Sequence, residues 1–240
     1  MKQRLDQELV RLGLVGSRSQ AESWIRIGKV MVDGKTVTRP GYFVSGQHDI
    51  RLLASEKYVS RAGLKLASVA KALNLDFKQR IVLDVGSSTG GFTDYALQHG
   101  AKKVIAVDVG TDQLHPSLRK DERIELHEKT DIRDFKPNID LDIVVMDVSF
   151  ISLREILPHI ATLSGKNTQI VAMLKPQFEA GKSQVNKGVI KNDSVRRQIL
   201  KDFETWSRQS FVIIDKADSE IAGAKGNRER FYMLKAISKR

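Results

Sequence analysis

The sequence predicts an α/β chain in two parts: a small α+β unit at residues 1–53 and a doubly wound sheet from residue 58 onward, joined by residues 54–57. Two observations carry that prediction. Short apolar, β-branched runs alternate with helical stretches along most of the chain, the pattern of parallel strands buried on both faces. The first fifty or so residues instead hold two short amphipathic helices and a hairpin signal, enough for a core of limited size only.

In the small unit, Leu5, Leu9 and Leu12 mark one helix by their spacing. After Gly13 and Gly16, Ser17-Arg18 opens a second, whose inner face is Ala21, Trp24, Ile25 and Gly28. Val30-Met31-Val32, the turn Asp33-Gly34 and Thr36-Val37-Thr38 follow as a hairpin, with residues 50–53 as a closing strand. In the larger part, strands are expected at 81–85, 103–108, 142–147 and 169–174, then late strands at 211–214 and 230–234. Helices are expected at 92–99 and 193–210, and Lys65 lies on another entering the domain. The alternation is that of a Rossmann-like sheet.

Composition narrows the function classes. The chain has 240 residues, 41% of them hydrophobic and 29% charged, so a packed core is expected and wholesale disorder is not. A net charge of +11 suits a polyanionic partner, nucleic acid being the usual one. With no cysteine, thiolate metal sites, disulfides and thiol nucleophiles are excluded. The start Met1-Lys2-Gln3-Arg4 lacks the apolar run of a secretory signal, and no segment reaches the length of a membrane helix. The cytoplasm is the expected compartment.

Four groups of residues carry chemistry. The string Leu83-Asp84-Val85-Gly86-Ser87-Ser88-Thr89-Gly90-Gly91-Phe92-Thr93 lies between a strand and a helix, where glycines let a ligand approach the backbone. Asp108 ends the next strand, near the spacing of an acid that binds ribose hydroxyls. The spacing is not that of a dinucleotide loop, and Asp84 would repel a pyrophosphate. It suits a ligand with a positively charged amino group, and S-adenosylmethionine is one. A tight turn without a ligand is the plain alternative.

Asp147 and Lys175 each end a strand at its carboxyl side, where α/β proteins place their chemistry. Asp147 could instead cap the following helix. The Asp/Asn-Pro-Pro-aromatic string of many exocyclic-amine methylating enzymes is missing after residue 146. Lys65 and Glu229, taken singly, read as surface charges. The small unit's Arg4, Arg11, Arg18, Arg26, Lys29 and Lys35 form a basic set suited to phosphates, or simply a solvated face.

Together these strings resemble a known family. Arg4-Leu5-Asp6, residues 17–21, Ile27-Gly28-Lys29-Val30 and Val32-Asp33-Gly34 are similar to the small RNA-binding domain first described in the fourth small-subunit ribosomal protein. The remainder resembles the FtsJ-like methyltransferases, and the combination resembles the TlyA family, also called haemolysin A. The family marks are Tyr58-Val59-Ser60-Arg61, Gly90-Gly91-Phe92-Thr93-Asp94, residues 147–152 and residues 175–181.

The resemblance implies methylation of a ribose 2′-hydroxyl in ribosomal RNA, at cytidines within ribosomal subunits, with S-adenosylmethionine as donor. It implies a catalytic tetrad of Lys65, Asp147, Lys175 and Glu229. It implies cofactor contacts from Gly86, Ser88, Gly90, Phe92, Asp108, Asp131 and Ile132, beside Asp84. RNA contacts would fall on Arg4, Arg11, Ser17, Arg18, Lys29 and Lys35. Ala62 stands where relatives usually carry a second glycine.

Lys175 is expected to take the hydroxyl proton, or to activate the group that does, with the two carboxylates orienting the two amines. The alternatives are methylation of a ring nitrogen, a binding protein without chemistry, and a membrane-active haemolysin. No alternating series of barrel-length strands supports the last.

Overall fold

The computed structural model describes residues 2–15, 18–26, 28–53, 58–181, 184–185, 188–223 and 225–237. Contacts divide the chain into two compact units, 1–61 and 62–240. The boundary falls just past the expected joint at 54–57, which lies outside the described residues, as does Ser17.

The small unit runs β1 (Gln3–Arg4), α1 (Leu5–Arg11), α2 (Arg18–Arg26), β2 (Val30–Val32), β3 (Lys35–Thr36), β4 (Phe43–Val44) and β5 (Ile50–Leu52). Strand β2 lies between β3 and β5, and β1 pairs with β4. The expected hairpin forms because Asp33 and Gly34 both adopt positive φ, which suits a tight two-residue turn. Leu5, Leu9, Ala21, Trp24, Ile25, Val30 and Val32 make the core. Leu12 does not join them: it follows the last turn of α1 and is largely exposed.

This core contains a charge. Asp6 is fully buried, and its carboxylate accepts hydrogen bonds from Arg4 (2.9 and 2.8 Å) and from Arg18 Nε (2.9 Å). Burial pushes the Asp6 carboxyl up, but the two guanidinium groups outweigh it and hold it below the usual carboxylate range. Glu8 takes Arg11 in the same way, at 2.7 and 2.6 Å. Three of the expected RNA-contacting arginines are therefore half committed to acids of their own unit, whereas Lys29 and Lys35 are exposed.

The larger unit runs α3 (Arg61–Ala70), β6 (Ile81–Val85), α4 (Gly91–Gln98), β7 (Lys103–Val107), β8 (Ile124–His127), a 3-10 turn (Ile132–Asp134), β9 (Ile143–Met146), α5 (Leu153–Leu163), β10 (Gln169–Leu174), α6 (Pro176–Glu179), α7 (Asp193–Ser207), β11 (Phe211–Asp218) and β12 (Arg230–Ala236). One seven-stranded sheet has the order β11-β12-β10-β9-β6-β7-β8. Its five strands from β10 to β8 are parallel, and β12 enters antiparallel between β10 and β11. The expected strands are all present. Strand β8 and the short helix α6 are additions to them, and α5 is the helix that follows Asp147.

Alternation along the buried strands sets what each face carries. Leu83, Val85, Val144, Met146, Ile170 and Ala172 pack with Leu153, Ile156, Leu157 and Ile160 of α5 and with Leu200 and Phe203 of α7. Asp84, between Leu83 and Val85, faces the other way, toward α4. The chain order reverses between β6 and β9, so a crevice opens at their carboxyl ends, where open α/β sheets bind ligands.

The Asp6 fork should matter to the small unit alone. Asp6→Ala should lower its unfolding free energy by roughly 1–3 kcal/mol, the scale of charge-assisted hydrogen bonds lost to half-exposed partners. Trp24 fluorescence during denaturation, in a Trp206→Phe background, reads that unit. In the parent protein this contribution is present above the ordinary carboxylate pKa of 3.8 and disappears as the pH falls through the lower folded value.

Candidate active site

The crevice begins with a close approach of two backbones. Gly86 follows β6 with φ +77°, and a Cβ there would meet the Asp147 carbonyl oxygen at 3.1 Å and Val148 Cα at 3.3 Å. Asp147 N–H in turn donates to the Val85 carbonyl at 3.0 Å. The loops after β6 and β9 therefore lie against each other, and the residues they carry share one site. Gly90 serves differently: it is buried at the start of α4 with φ +90°, packs against Leu114 and Leu118, and lines neither pocket described below.

Two pockets adjoin there. The larger, about 380 Å³, is lined by Gly86, Ser88, Asp108, Asp131, Ile132 and Phe150 among others. The smaller, about 140 Å³, includes Ala62, Asp84, Phe92, Asp147, Ser149 and Lys175. Gly86, Ser88, Asp147 and Ser149 line both.

Along the larger pocket, Asp108 accepts from Ser88 N–H (2.8 Å) and Gly110 N–H (2.7 Å). The carboxylate is thereby fixed at the end of β7, with lone pairs to spare. Asp131 caps the 3-10 turn and forms a bidentate pair with Arg133, whose hydrogen bonds bring its carboxyl down to about 2.

Asp84 lies in the smaller pocket. Oδ2 accepts from Thr93 N–H (2.9 Å) and Thr93 Oγ1 (2.7 Å), whereas Oδ1 is buried without a hydrogen-bond partner among the described residues. Burial, with Thr93 opposing and Asp147 assisting, pushes its carboxyl up to about 7. A buried, unmatched acceptor at the floor of a pocket is suited to a positively charged donor.

The four residues expected to act together resolve into two ion pairs. Lys175 Nζ stands 2.6 Å from Asp147 Oδ1, and Lys65 Nζ stands 2.5 Å from Glu229 Oε2. Both approaches are too oblique to count as hydrogen bonds, so they fix charge more than direction. Lys65, Lys175 and Glu229 are buried. The strand register ends at Leu174 opposite Arg230, and one step further places Lys175 beside Glu229. Asp147 does not cap α5; Ser152 does, accepting from Arg154 N–H.

Several residues here had no individual role in the sequence reading. Ser149 Oγ accepts a 2.7 Å hydrogen bond from Lys175 Nζ. Glu179, in α6, accepts from Ser152 Oγ (2.6 Å) and Leu153 N–H (2.7 Å), tying the loop after β9 to the segment after β10. Phe150 is 91% exposed with φ +66°, its ring tilted against Phe178. Asn227 holds residues 188–190 beside the mouth of β12 through its own side-chain amide. The first three fall in strings that the sequence singles out, yet only the folded chain separates their tasks.

The Asp84 environment has a measurable consequence. A folded carboxyl raised above 3.8 to about 7 binds its proton more tightly than the unfolded chain, so stability falls as pH rises through that window and levels off above it. Asp84→Asn should flatten this slope. Melting temperatures of parent and variant from pH 4 to 9 give the test; parallel curves across the window would mean that Asp84 is not titrating there.

Comparisons with known proteins agree with the geometry. The pattern of the FtsJ-like methyltransferase family matches residues 58–236, and that of the S4 domain matches residues 3–50. A Mycobacterium tuberculosis protein named 16S/23S rRNA (cytidine-2'-O)-methyltransferase TlyA is 37% identical over 244 residues, covering 99% of this chain and 91% of the relative. Hemolysin A of Brachyspira hyodysenteriae is 39% identical over 232 residues, covering 94% and 97%. A solved Streptococcus thermophilus structure, described as a hemolysin, superposes with a TM-score of 0.78 at 36% identity, covering 99% of this chain and 90% of that one. Among the described residues no helix is long and apolar enough to cross a membrane. With its sheet, its glycine turn and its paired lysines and carboxylates all in the matched region, the chain belongs to the FtsJ-like methyltransferase family, in the branch that carries an S4 domain ahead of the catalytic unit.

Proposed function

We propose that this protein methylates a ribose 2′-hydroxyl in ribosomal RNA, at a cytidine, in the cytoplasm. The observation that carries the reading is the Lys175 amine, buried beside Asp147 in a pocket that opens directly onto a larger one. A ribose hydroxyl is a weak nucleophile, and its proton must leave as the methyl group arrives. Lys175 is placed to take it. Transfer in line needs no covalent enzyme intermediate, consistent with a chain without cysteine.

The pockets fit S-adenosylmethionine by their chemistry. Asp84 Oδ1, buried and unmatched, suits the amino group, directly or through water. Gly86 lets the Asp147 loop close against the loop after β6, so that one wall serves both pockets, and Asp108 keeps lone pairs for ribose hydroxyls. Asp131 and Ile132 line the larger pocket, Phe92 the smaller one and Ser88 both. The bound cofactor supplies a methyl group on a sulfonium sulfur. The protein's own part is to hold that donor, exclude water and receive one proton at Lys175 Nζ, while Lys65 paired with Glu229 keeps a second cation fixed nearby.

RNA recognition is assigned to both units. Relatives named for ribosomal RNA (cytidine-2'-O) methylation support the substrate. Lys29 and Lys35, with the outward faces of Arg4, Arg11 and Arg18, supply phosphate contacts from the small unit, and Ser17 belongs to the same set. At the pocket mouth, the bare ring of Phe150 suits an unstacked base.

Three measurements test this. Asp108→Ala should weaken cofactor binding by roughly 1–3 kcal/mol in calorimetry, as for a lost charge-assisted hydrogen bond; parent-like affinity would put the donor elsewhere. Lys175→Ala should bind cofactor and RNA nearly as the parent does yet lose on the order of 10²–10⁴-fold in turnover. In RNA methylated by the parent protein, the linkage 3′ of the modified nucleotide should survive alkali, because cleavage there needs a free 2′-hydroxyl. Methylated RNA with every linkage still labile would identify a base, such as a ring nitrogen, as the target.

A further inference from the structure

Among the described residues Lys175 Nζ has two polar neighbours. The contact to Asp147 is close but oblique. The contact to Ser149 Oγ, 2.7 Å, is the one aligned hydrogen bond of this amine among the described residues. The Phe178 ring lies 5.9 Å away and offers an attractive face without direction. A lysine amine rotates freely about its Cε–Nζ bond unless a partner stops it. Here Ser149 is that partner.

Ser149 is itself held for the task. It is one of the residues that line both pockets, so it stands where donor and acceptor must meet. The positive φ of Phe150 turns the chain immediately after it, sending the Phe150 ring outward. Glu179 pins the far end of that loop through Ser152 Oγ and Leu153 N–H. Because Glu179 lies only four residues beyond Lys175, the loop that presents Ser149 is anchored to the segment that presents the amine.

We infer that Ser149 is a positioning residue for methyl transfer, whose hydroxyl accepts one N–H of Lys175 and so sets the direction of the amine's lone pair toward the substrate. The inference rests on the reading of Lys175 as the base. A neutral amine has two N–H groups and one lone pair. With one N–H on Ser149 and the other drawn to the Asp147 carboxylate, the lone pair occupies the remaining site. As transfer proceeds, the hydroxyl proton moves to Nζ, the hydroxyl oxygen bonds the methyl carbon, and the electron pair of the broken bond stays on the donor sulfur. One positive charge enters on the donor and one leaves on Lys175, so charge balances.

The test compares Ser149→Ala, Ser149→Thr and Lys175→Met with the parent protein, in single-turnover methylation of unmodified ribosomal subunits across pH. The groups facing Lys175 are Asp147 after β9, Asp84 from β6, and Glu229 beside β12 with its partner Lys65. All are retained in the Ser149 variants. Ser149→Ala should lose on the order of tenfold in rate with cofactor and subunit affinities unchanged, since only the aim of the amine is lost. Its acid limb should move to lower pH, because an acceptor favouring the ammonium form has gone. Ser149→Thr, which keeps the hydroxyl, should restore most of the rate.

Parent-like rate and limb in Ser149→Ala, or a limb displaced to higher pH, would overturn the inference; the latter would mean that Ser149 donates to the lone pair instead. A Thr variant as slow as Ala would overturn it too. Lys175→Met separates the two levels. If it retains turnover, the base assignment fails. If it is dead while Ser149→Ala is normal, only the Ser149 inference does.

Discussion

The packing of two strand ends governs the site. Gly86 and Asp147 come so close that a single Cβ at residue 86 would meet the Asp147 carbonyl at 3.1 Å. Parallel neighbours in a sheet run side by side, but their loops usually diverge. Here the missing side chain lets the loop after β6, with its glycines and Ser88, rest on the loop after β9, with Asp147 and Ser149. The larger pocket and the smaller one that holds Lys175 can then share a wall. The topology contributes the rest: β6 and β9 flank the point where strand order reverses, so both loops open toward solvent on the same edge.

Charge burial follows a consistent rule in both units. Lys65 with Glu229 and Lys175 with Asp147 bring opposite charges together in places that water hardly reaches. In the small unit only the acid is buried: Asp6 is covered, while its partners Arg4 and Arg18 stay partly exposed. A buried pair contributes little net stability, because desolvation opposes its attraction, while removing one member leaves an isolated charge. Such pairs therefore hold geometry better than they hold the fold. Asp84 departs from the rule. Among the described residues its second oxygen has no hydrogen-bond partner, and burial, with Asp147 assisting, raises its carboxyl to about 7.

The small unit shows how a basic composition can mislead in detail while pointing the right way in general. Arg4, Arg11 and Arg18 belong to the cluster that suggests phosphate binding, yet each also neutralises an acid of its own helix or its neighbour. A guanidinium has five donors, so an arginine that pins Asp6 still presents N–H groups outward. Structural and RNA-binding tasks are compatible in these side chains. Lys29 and Lys35 are exposed and, among the described residues, outside the ion pairs of the unit.

By itself the sequence determined the order of elements, the glycine turn at 83–93, the tight hairpin at Asp33-Gly34 and the chemical types that meet at the site. Each of these is local: apolar runs, turn residues and acids at strand ends announce themselves within a dozen positions. Helix α5 was legible in principle, since Ser152 and Glu155 form the spacing of a capping box ahead of an apolar face. Strand β8 was not, because a half-buried edge strand of four residues has no continuous apolar run. Only the tertiary structure decided which charge meets which, that β12 enters between β10 and β11, and that Ser149 joins Asp147 in contacting Lys175. Those facts depend on register between strands and loops far apart in the chain, and a period of 2 or 3.6 residues carries no information about distance across a sheet.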